Sequence, residues 1–172
     1  MSKFSKLIRR VLNNSKSPKV TLANELEALE LYIELEAIRF NNKFEYKIEV
    51  EEGLEADYLE IPPLILQPYV ENSIWHGLMH KEGDRGHLSI SIEKDGDYLF
   101  CAIEDNGIGR QAAMDRKSKS ARKHKSFGMN ITSERLANLN GQKNQEAKVK
   151  VKDLVSPDGQ PMGTRVELKI AF

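Results

Sequence analysis

Apolar residues recur with helical spacing in the N-terminal part of the chain. Residues 4–12 place them between lysines and arginines, which predicts a short basic amphipathic helix. A polar run ending at Pro18 breaks this pattern, and Thr21 can cap a second helix over residues 21–40 with Glu25 in its first turn. This second helix carries two apolar stripes, Leu22, Leu26, Leu29, Ile33, Ala37 and Phe40 on one side and Ala28, Leu31, Leu35 and Ile38 nearly opposite. Such a helix packs on two sides, one against the core and one against either the N-terminal segment or another subunit.

Alternation of apolar and polar residues then predicts strands. Residues 44–50 alternate as a half-buried strand does, and residues 87–93 and 98–103 flank the hairpin signal Asp95-Gly96-Asp97. Residues 147–154 and 164–170 are predicted as two more strands, and residues 63–76 and 129–139 as two more helices. Because hairpins make antiparallel pairs, the fold class predicted is an α/β two-layer sandwich, a mixed, mostly antiparallel sheet with helices on one face.

Composition narrows the class of protein. The 172 residues suit one ordinary domain, and the single cysteine, Cys101, excludes a disulfide framework. Equal numbers of basic and acidic residues, 26 each, argue against a dedicated nucleic-acid binder. No apolar run approaches the roughly 18 residues that cross a bilayer, so we expect a cytoplasmic piece. Residues 110–125 nevertheless hold 7 bases and one acid, which indicates either a small-anion site or a solvated loop.

Three clusters carry candidate chemistry. Asn72 and His76 lie near a predicted helix end, where an Asn oxygen suits Mg²⁺ held with phosphates, although a surface Asn and a structural His are the simpler explanation. Asp105 lies at the end of a predicted strand, followed by Gly107 and Gly109. Its carboxylate could accept a hydrogen bond from an exocyclic amine of a ligand; alternatively, the segment is only a tight turn. Gly128 precedes the predicted helix over residues 129–139. The backbone N–H groups at that helix start can bind a phosphate, or Gly128 is a simple N-cap.

The order of these clusters is more specific than any one of them. LILQPYVENSIWHG over residues 64–77, Asp-Asn-Gly-Ile-Gly over residues 105–109, residues 127–136 and Gly163-Thr164 resemble the N, G1 and G2 boxes and final strand of histidine-kinase ATP-binding domains. The match is best to the LytS-like subgroup of bacterial sensor histidine kinases, whose upstream helix also resembles residues 21–40. The resemblance runs from about Val20 to the C-terminus.

The resemblance implies a Bergerat-type ATP-binding fold with ATP and Mg²⁺ as cofactors. At matched positions, Asn72 would coordinate Mg²⁺ on the ATP phosphates and Asp105 would receive the adenine amine. The other nucleotide-binding positions it implies are His76, Gly107, Gly109, Gly128, Met129 and Thr164. Residues 110–125 become the ATP lid. Among departures from the family pattern, Trp75 replaces a common Lys and could pack or stack near the nucleotide, and Ser126 replaces a common Gly.

The absence of a general-base carboxylate near Asn72 favours a kinase over a hydrolytic ATPase. ATPases of this superfamily place a general-base Glu four residues before the metal-binding Asn, and this chain has Pro68 there. Glu71 lies about 100° around the helix from Asn72 and should point elsewhere. We therefore favour a kinase, with a hydrolytic ATPase or a degenerate nucleotide-binding interaction module as alternatives.

The resemblance also implies partners and missing parts. None of the four histidines, His76, His80, His87 and His124, fits a phosphoacceptor, so no catalytic residue is assigned in this chain. We expect residues 1–20 to be the tail of an upstream dimerisation and phosphoacceptor region and residues 21–172 to be the ATP-binding catalytic domain. The expected partners are that phosphoacceptor His domain in a homodimer and a response regulator, with no nucleic acid. The full-length kinase would be anchored in a membrane through N-terminal segments, and this fragment should not autophosphorylate alone.

Overall fold

The computed structural model describes residues 2–119 and 149–172, and the elements below are those of these two ranges. The helices are α1 (Lys3–Ser15), α2 (Leu22–Arg39), α3 (Gln67–Asn72) and α4 (Arg110–Lys119), with a π-helical turn over Ser73–Gly77 and a 3₁₀ turn over Leu78–His80 after α3. The strands are β1 (Val20–Thr21), β2 (Phe44–Val50), β3 (Glu60–Ile61), β4 (Gly86–Asp95), β5 (Tyr98–Asp105), β6 (Lys150–Val155) and β7 (Pro161–Ala171).

Five strands form one mixed sheet in the order β2-β4-β5-β7-β6. Only β2 and β4 run parallel, while the other neighbours are antiparallel. The β4–β5 hairpin turns where Asp95-Gly96-Asp97 predicted it, with Gly96 at φ +59°. The predicted mixed, mostly antiparallel α/β sandwich is therefore confirmed, and a two-stranded pairing of β1 with β3 is an addition that the sequence did not indicate.

The core lies between one face of the sheet and the helices. Alternate residues of the central hairpin point into it, because successive strand side chains face opposite sides of a sheet. The buried set includes Leu88, Ile90, Ile92, Leu99, Cys101 and Ile103 from the hairpin and Leu29, Ile33, Val70 and Ile74 from α2, α3 and the π-helical turn. Burial raises the pKa of the Cys101 thiol to about 12, so this cysteine serves packing rather than redox chemistry.

The N-terminal segment covers the second face of α2. Lys3 Nζ lies 2.9 Å from Glu34 Oε2, and Arg10 Nη1 donates to Asn24 Oδ1 at 3.0 Å, so the two helices run antiparallel. Of the two predicted occupants of this face, the structure has the N-terminal segment. Thr21 caps α2 as predicted, accepting from the backbone N–H of Asn24 at 3.2 Å.

The helix predicted over residues 63–76 begins later, at Gln67. Leu64 has a positive φ of 56°, which an α-helix does not allow. The backbone N–H groups of Leu64, Ile65 and Leu66 donate to the buried Glu25 carboxylate at 2.8, 2.9 and 3.3 Å. A side chain of α2 therefore binds the donors at this helix start, and that tertiary contact decides where α3 begins.

Some predicted elements fall outside the described residues. These are the helix over residues 129–139, residues 120–125 of the lid and residues 147–148 of a strand. β6 begins at Lys150, and β7 starts at Pro161, three residues before its predicted start. Within residues 2–119 and 149–172, no helix has the length and apolar character needed to span a membrane.

Candidate functional site

A pocket of about 210 Å³ opens between α3, α4 and the ends of β5 and β7. Five of the predicted site residues line it together: Asn72, His76, Asp105, Gly109 and Thr164. The described lining also contains residues that the sequence did not single out, namely Tyr69, Ser73, Gly77, Arg110, Ala113, Met114, Val151 and Val166. Helical spacing could have found three of these, because positions 69, 73 and 77 share a helix face with positions 72 and 76.

Asp105 forms the buried floor of this pocket. It is 3% exposed, and its Oδ1 accepts from the backbone N–H of Gly107 at 2.9 Å. Burial raises the pKa of Asp105 to about 6, opposed by hydrogen bonds from Gly107, the Ser73 hydroxyl and the Thr164 backbone. Three donors thus hold a carboxylate that is ionised at neutral pH. Such a group can accept a hydrogen bond from a ligand's amino group.

Glycines allow the backbone to approach this floor closely. A Cβ on Gly107 would lie 2.4 Å from the carbonyl carbon of Gly77, and a Cβ on Gly77 would lie 2.7 Å from Asp105 Oδ1. Gly163 is tighter still, since its Cβ would lie 1.8 Å from the Asp105 carbonyl oxygen at φ +126°. Any side chain at these positions would displace Asp105 or its supports. Gly107 therefore shapes the site by supporting Asp105, whereas Gly109 is among the lining residues.

Asn72 lies at the end of α3, on the pocket wall. Its Nδ2 donates to the Pro68 carbonyl at 2.6 Å, which sets the orientation of the side-chain amide. The helix then continues as the π-helical turn that contains Ser73, His76 and Gly77, a local irregularity frequent at functional sites. In the described part of the chain, no three His, Cys, Asp or Glu side chains converge as a metal site. A Mg²⁺ carried by phosphates commonly uses only one or two protein ligands.

Glu71 is directed away from the pocket, as its position around the helix indicates. Its Oε1 accepts from Gln67 Nε2 at 2.9 Å, and Glu71 is not among the lining residues. Asp105 is the single carboxylate in the described lining. Asp105 is anchored by three donors, so this part of the pocket holds no second acid placed to activate water.

Trp75 does not lie at the pocket. Its ring packs edge-on against Phe40, with 5.3 Å between ring centroids, and the Arg39 guanidinium carbon lies 4.6 Å from its centre. Tyr32 is hydrogen-bonded to the Trp75 side chain. Of the two roles expected for Trp75, the structure shows packing, because the helix turns this side chain towards α2 and away from the described pocket lining.

Replacing Arg39 with alanine should change the surroundings of Trp75. A guanidinium over an indole contributes roughly 0.5–1 kcal/mol, and its loss exposes the ring face to water. We expect a red shift of the tryptophan emission and a fall of about that size in the free energy of unfolding. Trp75 is the only tryptophan, so fluorescence and urea titration measure both effects. The matched Arg85→Ala variant, which removes an ion pair with Glu45, should leave the emission unchanged. An equal shift in both variants would contradict this assignment.

The predicted phosphate-binding positions Gly128 and Met129, and the departure Ser126, lie outside the described residues. Their assigned roles therefore stay predictions.

Comparison with known proteins finds sensor histidine kinases among similar chains. A family model described as histidine kinase matches residues 1–44. The sensor histidine kinase BtsS of Escherichia coli K12 is 34% identical over 125 residues, which are 72% of this chain and 20% of BtsS. The sensor protein LytS of Staphylococcus epidermidis is 33% identical over 106 residues, which are 62% of this chain and 17% of LytS. The chain thus spans about a fifth of the length of these curated relatives.

Solved structures share the fold. The catalytic domain of histidine kinase ThkA superimposes with a TM-score of 0.59 at 14% identity, over 89% of this chain and 93% of that chain. ThkA in complex with the response regulator protein TrrA matches with a TM-score of 0.53 at 14% identity, over 98% of this chain and 47% of that chain. Over the matched residues the chain is therefore similar to the LytS and BtsS sensor histidine kinases, and it has the fold of a histidine kinase catalytic domain.

Proposed function

We propose that this chain is the ATP-binding catalytic domain of a two-component sensor histidine kinase. In this proposal residues 21–172 bind ATP and residues 1–20 end an upstream dimerisation and phosphoacceptor region. The observation that carries the proposal is the buried Asp105 carboxylate at the floor of a pocket whose wall holds Asn72. The γ-phosphoryl group would pass to a histidine of the upstream region and then to a response regulator.

The lining residues suit an adenine nucleotide. The Asp105 carboxylate can accept from the adenine amine, and the aliphatic carbons of Val151, Val166 and Met114 offer apolar contact to a ring. Asn72 offers an amide oxygen to Mg²⁺. Bound ATP would supply the phosphoryl group and Mg²⁺ would neutralise charge on it, while the protein would position the nucleotide and exclude water.

The described pocket favours transfer to a protein over hydrolysis. Pro68 and Glu71 leave Asn72 without a neighbouring acid in the pocket, so water has no base among the described lining residues. Of the described histidines, His76 lines the pocket, His80 ends the 3₁₀ turn that follows it, and His87 Nδ1 lies 2.8 Å from Glu45 in the sheet. None of the three lies on a long helix that could present its imidazole to another domain. The acceptor is therefore assigned to the upstream region.

Calorimetric titration with ADP tests nucleotide binding. We expect saturable binding of ADP that Mg²⁺ strengthens, and binding of GDP weaker by at least roughly tenfold, because guanine lacks the amine that Asp105 recognises. Asn72→Ala should abolish most of the Mg²⁺-dependent gain and retain binding without Mg²⁺. The matched Asn13→Ala variant, on the exposed side of α1, should behave as wild type. Absence of binding in wild type would refute the proposal and favour the interaction module.

Phosphoryl transfer is then tested with radiolabelled ATP and the histidine-containing domain of the same kinase supplied in trans. Acid-labile, base-stable label on the added domain is the expected result. Label released as inorganic phosphate at a comparable rate, without labelled protein, would instead identify a hydrolytic ATPase. The chain without the added domain should remain unlabelled.

A further inference from the structure

The described walls of the pocket are joined by one ion pair. Arg110 Nε donates to Asp153 Oδ1 at 2.7 Å, and Arg110 Nη2 donates to Asp153 Oδ2 at 2.6 Å. This is the two-pronged geometry in which a guanidinium and a carboxylate bind each other most specifically. Arg110 is the first residue of α4 and Asp153 lies on β6, so the pair connects segments 43 residues apart in the chain.

The ion pair lies beside the residues that line the pocket. Arg110, Ala113 and Met114, here called the α4 wall, form one side. Val151 lines the pocket from β6, and strand alternation puts Asp153 on the same face as Val151. Gly109, immediately before the α4 wall, has φ +78°. Gly109 therefore directly precedes α4, and Asp153 binds the side chain of Arg110, the first residue of that helix.

We propose that Asp153 is a positioning residue of the nucleotide site, which fixes the α4 wall over the pocket by holding Arg110. This inference rests on the proposed nucleotide-binding function. Both oxygens of Asp153 are engaged by the Arg110 guanidinium, so Arg110 acts here as an anchor for the α4 wall. In the opposing arrangement, Arg110 would leave Asp153 to contact the phosphates of the nucleotide.

The two arrangements predict different ligand dependence. If Asp153 anchors the α4 wall, its loss weakens the binding of every ligand that the wall contacts, including adenosine, which has no phosphate. If Arg110 instead contacts a phosphate, its loss weakens the binding of ADP and leaves the affinity for adenosine unchanged. The side chains of Arg110 and Asp153 are 44% and 50% exposed, so the effect should be moderate. We expect roughly three- to tenfold weaker binding, from a pair that is partly exposed but bidentate.

Affinities of adenosine and ADP are to be measured for wild type, Asp153→Ala, Arg110→Ala and the reversed pair Arg110→Asp with Asp153→Arg. Each single variant should weaken the binding of adenosine and of ADP by the same factor. The reversed pair should regain adenosine affinity to within about twofold of wild type. Lys152→Ala is the matched control, because it removes the neighbouring β6 ion pair with Glu167 and not the one with α4. Unchanged adenosine affinity in Asp153→Ala, or tighter ADP binding in that variant, would overturn the proposal.

Hydrogen exchange of the ligand-free protein tests the same anchor independently of binding. Backbone amides of residues 111–116 should exchange faster in Asp153→Ala than in wild type, and Lys152→Ala should leave them unchanged. Equal exchange in wild type and Asp153→Ala would also overturn the proposal. If wild type bound neither adenosine nor ADP, the proposed function would fail, and the exchange rates alone would still decide whether Asp153 holds α4.

Discussion

Replacing Glu25 with alanine is expected to remove much of the folding stability of this protein. Glu25 is 1% exposed and accepts the backbone N–H groups of Leu64, Ile65 and Leu66. Burial raises the pKa of its carboxyl group, and the three hydrogen bonds act in the opposite direction. Alanine would leave these donors without their acceptor beneath the core. Each buried donor so left costs about 1–3 kcal/mol.

The summed cost for the three donors is therefore about 3–9 kcal/mol, against the 5–15 kcal/mol of folding stability that typical domains have in all. Equilibrium unfolding in urea, followed by circular dichroism, measures it. Glu25→Gln should lose roughly half as much, because its amide keeps one acceptor oxygen but turns an NH₂ group towards a donor. Glu27→Ala is the matched control on the same helix: Glu27 is 54% exposed, pairs with Arg10, and should cost under about 1 kcal/mol. Similar losses in Glu25→Ala and Glu27→Ala would contradict this role.

Asp105→Asn should lose nucleotide binding and gain stability at neutral pH. The neutral amide is a weaker acceptor for the adenine amine and turns its NH₂ group towards donors, which should weaken ADP binding roughly 30- to 100-fold. The raised pKa means that ionised Asp105 costs the folded state about 3 kcal/mol at pH 7. Asparagine avoids this cost and loses about one hydrogen bond, so the free energy of unfolding should rise by about 1–2 kcal/mol. Calorimetry and urea titration measure the two effects.

The pH dependence of Asp105 follows from the direction of its shift. Its pKa is 3.8 in the unfolded reference and about 6 in the folded protein, so the folded state holds more protons between these values. Its contribution to stability is therefore largest below pH 3.8, falls as pH rises to about 6, and stays at its lowest above that. Binding has the opposite dependence, since only the ionised form is the strong acceptor.

Adenosine affinity should therefore fall about tenfold between pH 7 and pH 5. Adenosine is the chosen probe because it carries no phosphate that titrates in this range. Asp105→Asn should bind weakly with little dependence on pH, and any slope that it retains would report a group other than Asp105. A wild-type affinity that is flat from pH 7 to pH 5 would show that Asp105 is not the titrating acceptor.

Sequence patterns predicted helices and strands well where the structure depends on interactions between residues close together in the chain. Alternation found β2 with its observed bounds, the Asp95-Gly96-Asp97 turn found the central hairpin, and Thr21 caps α2 as its position indicates. Strand alternation, turn geometry and capping depend on residues a few positions apart, so they can be read from a short window. The resemblance to a known family then selected residues that the fold brings into one pocket.

Contacts between distant segments could not be read in this way. Glu25 suits the first turn of its own helix, yet its partners lie 39 to 41 residues further along the chain and delay the start of α3. Trp75 follows Asn72 by three residues, yet its ring faces Arg39 and Phe40 and not the pocket. Which face of a helix is buried against which neighbour depends on packing of the whole chain.

The sequence by itself thus determined the periodicity of helices and strands, the acidic residue at the end of β5 and the glycines beside it. The tertiary structure decided which of these groups are buried, which donors surround Asp105 and oppose the rise in its pKa that burial causes, and which carboxylate, Asp153, holds Arg110. The reason is physical: propensity and pattern act over a few residues, whereas burial, hydrogen-bond partners and electrostatic environment depend on segments that only the folded chain brings together.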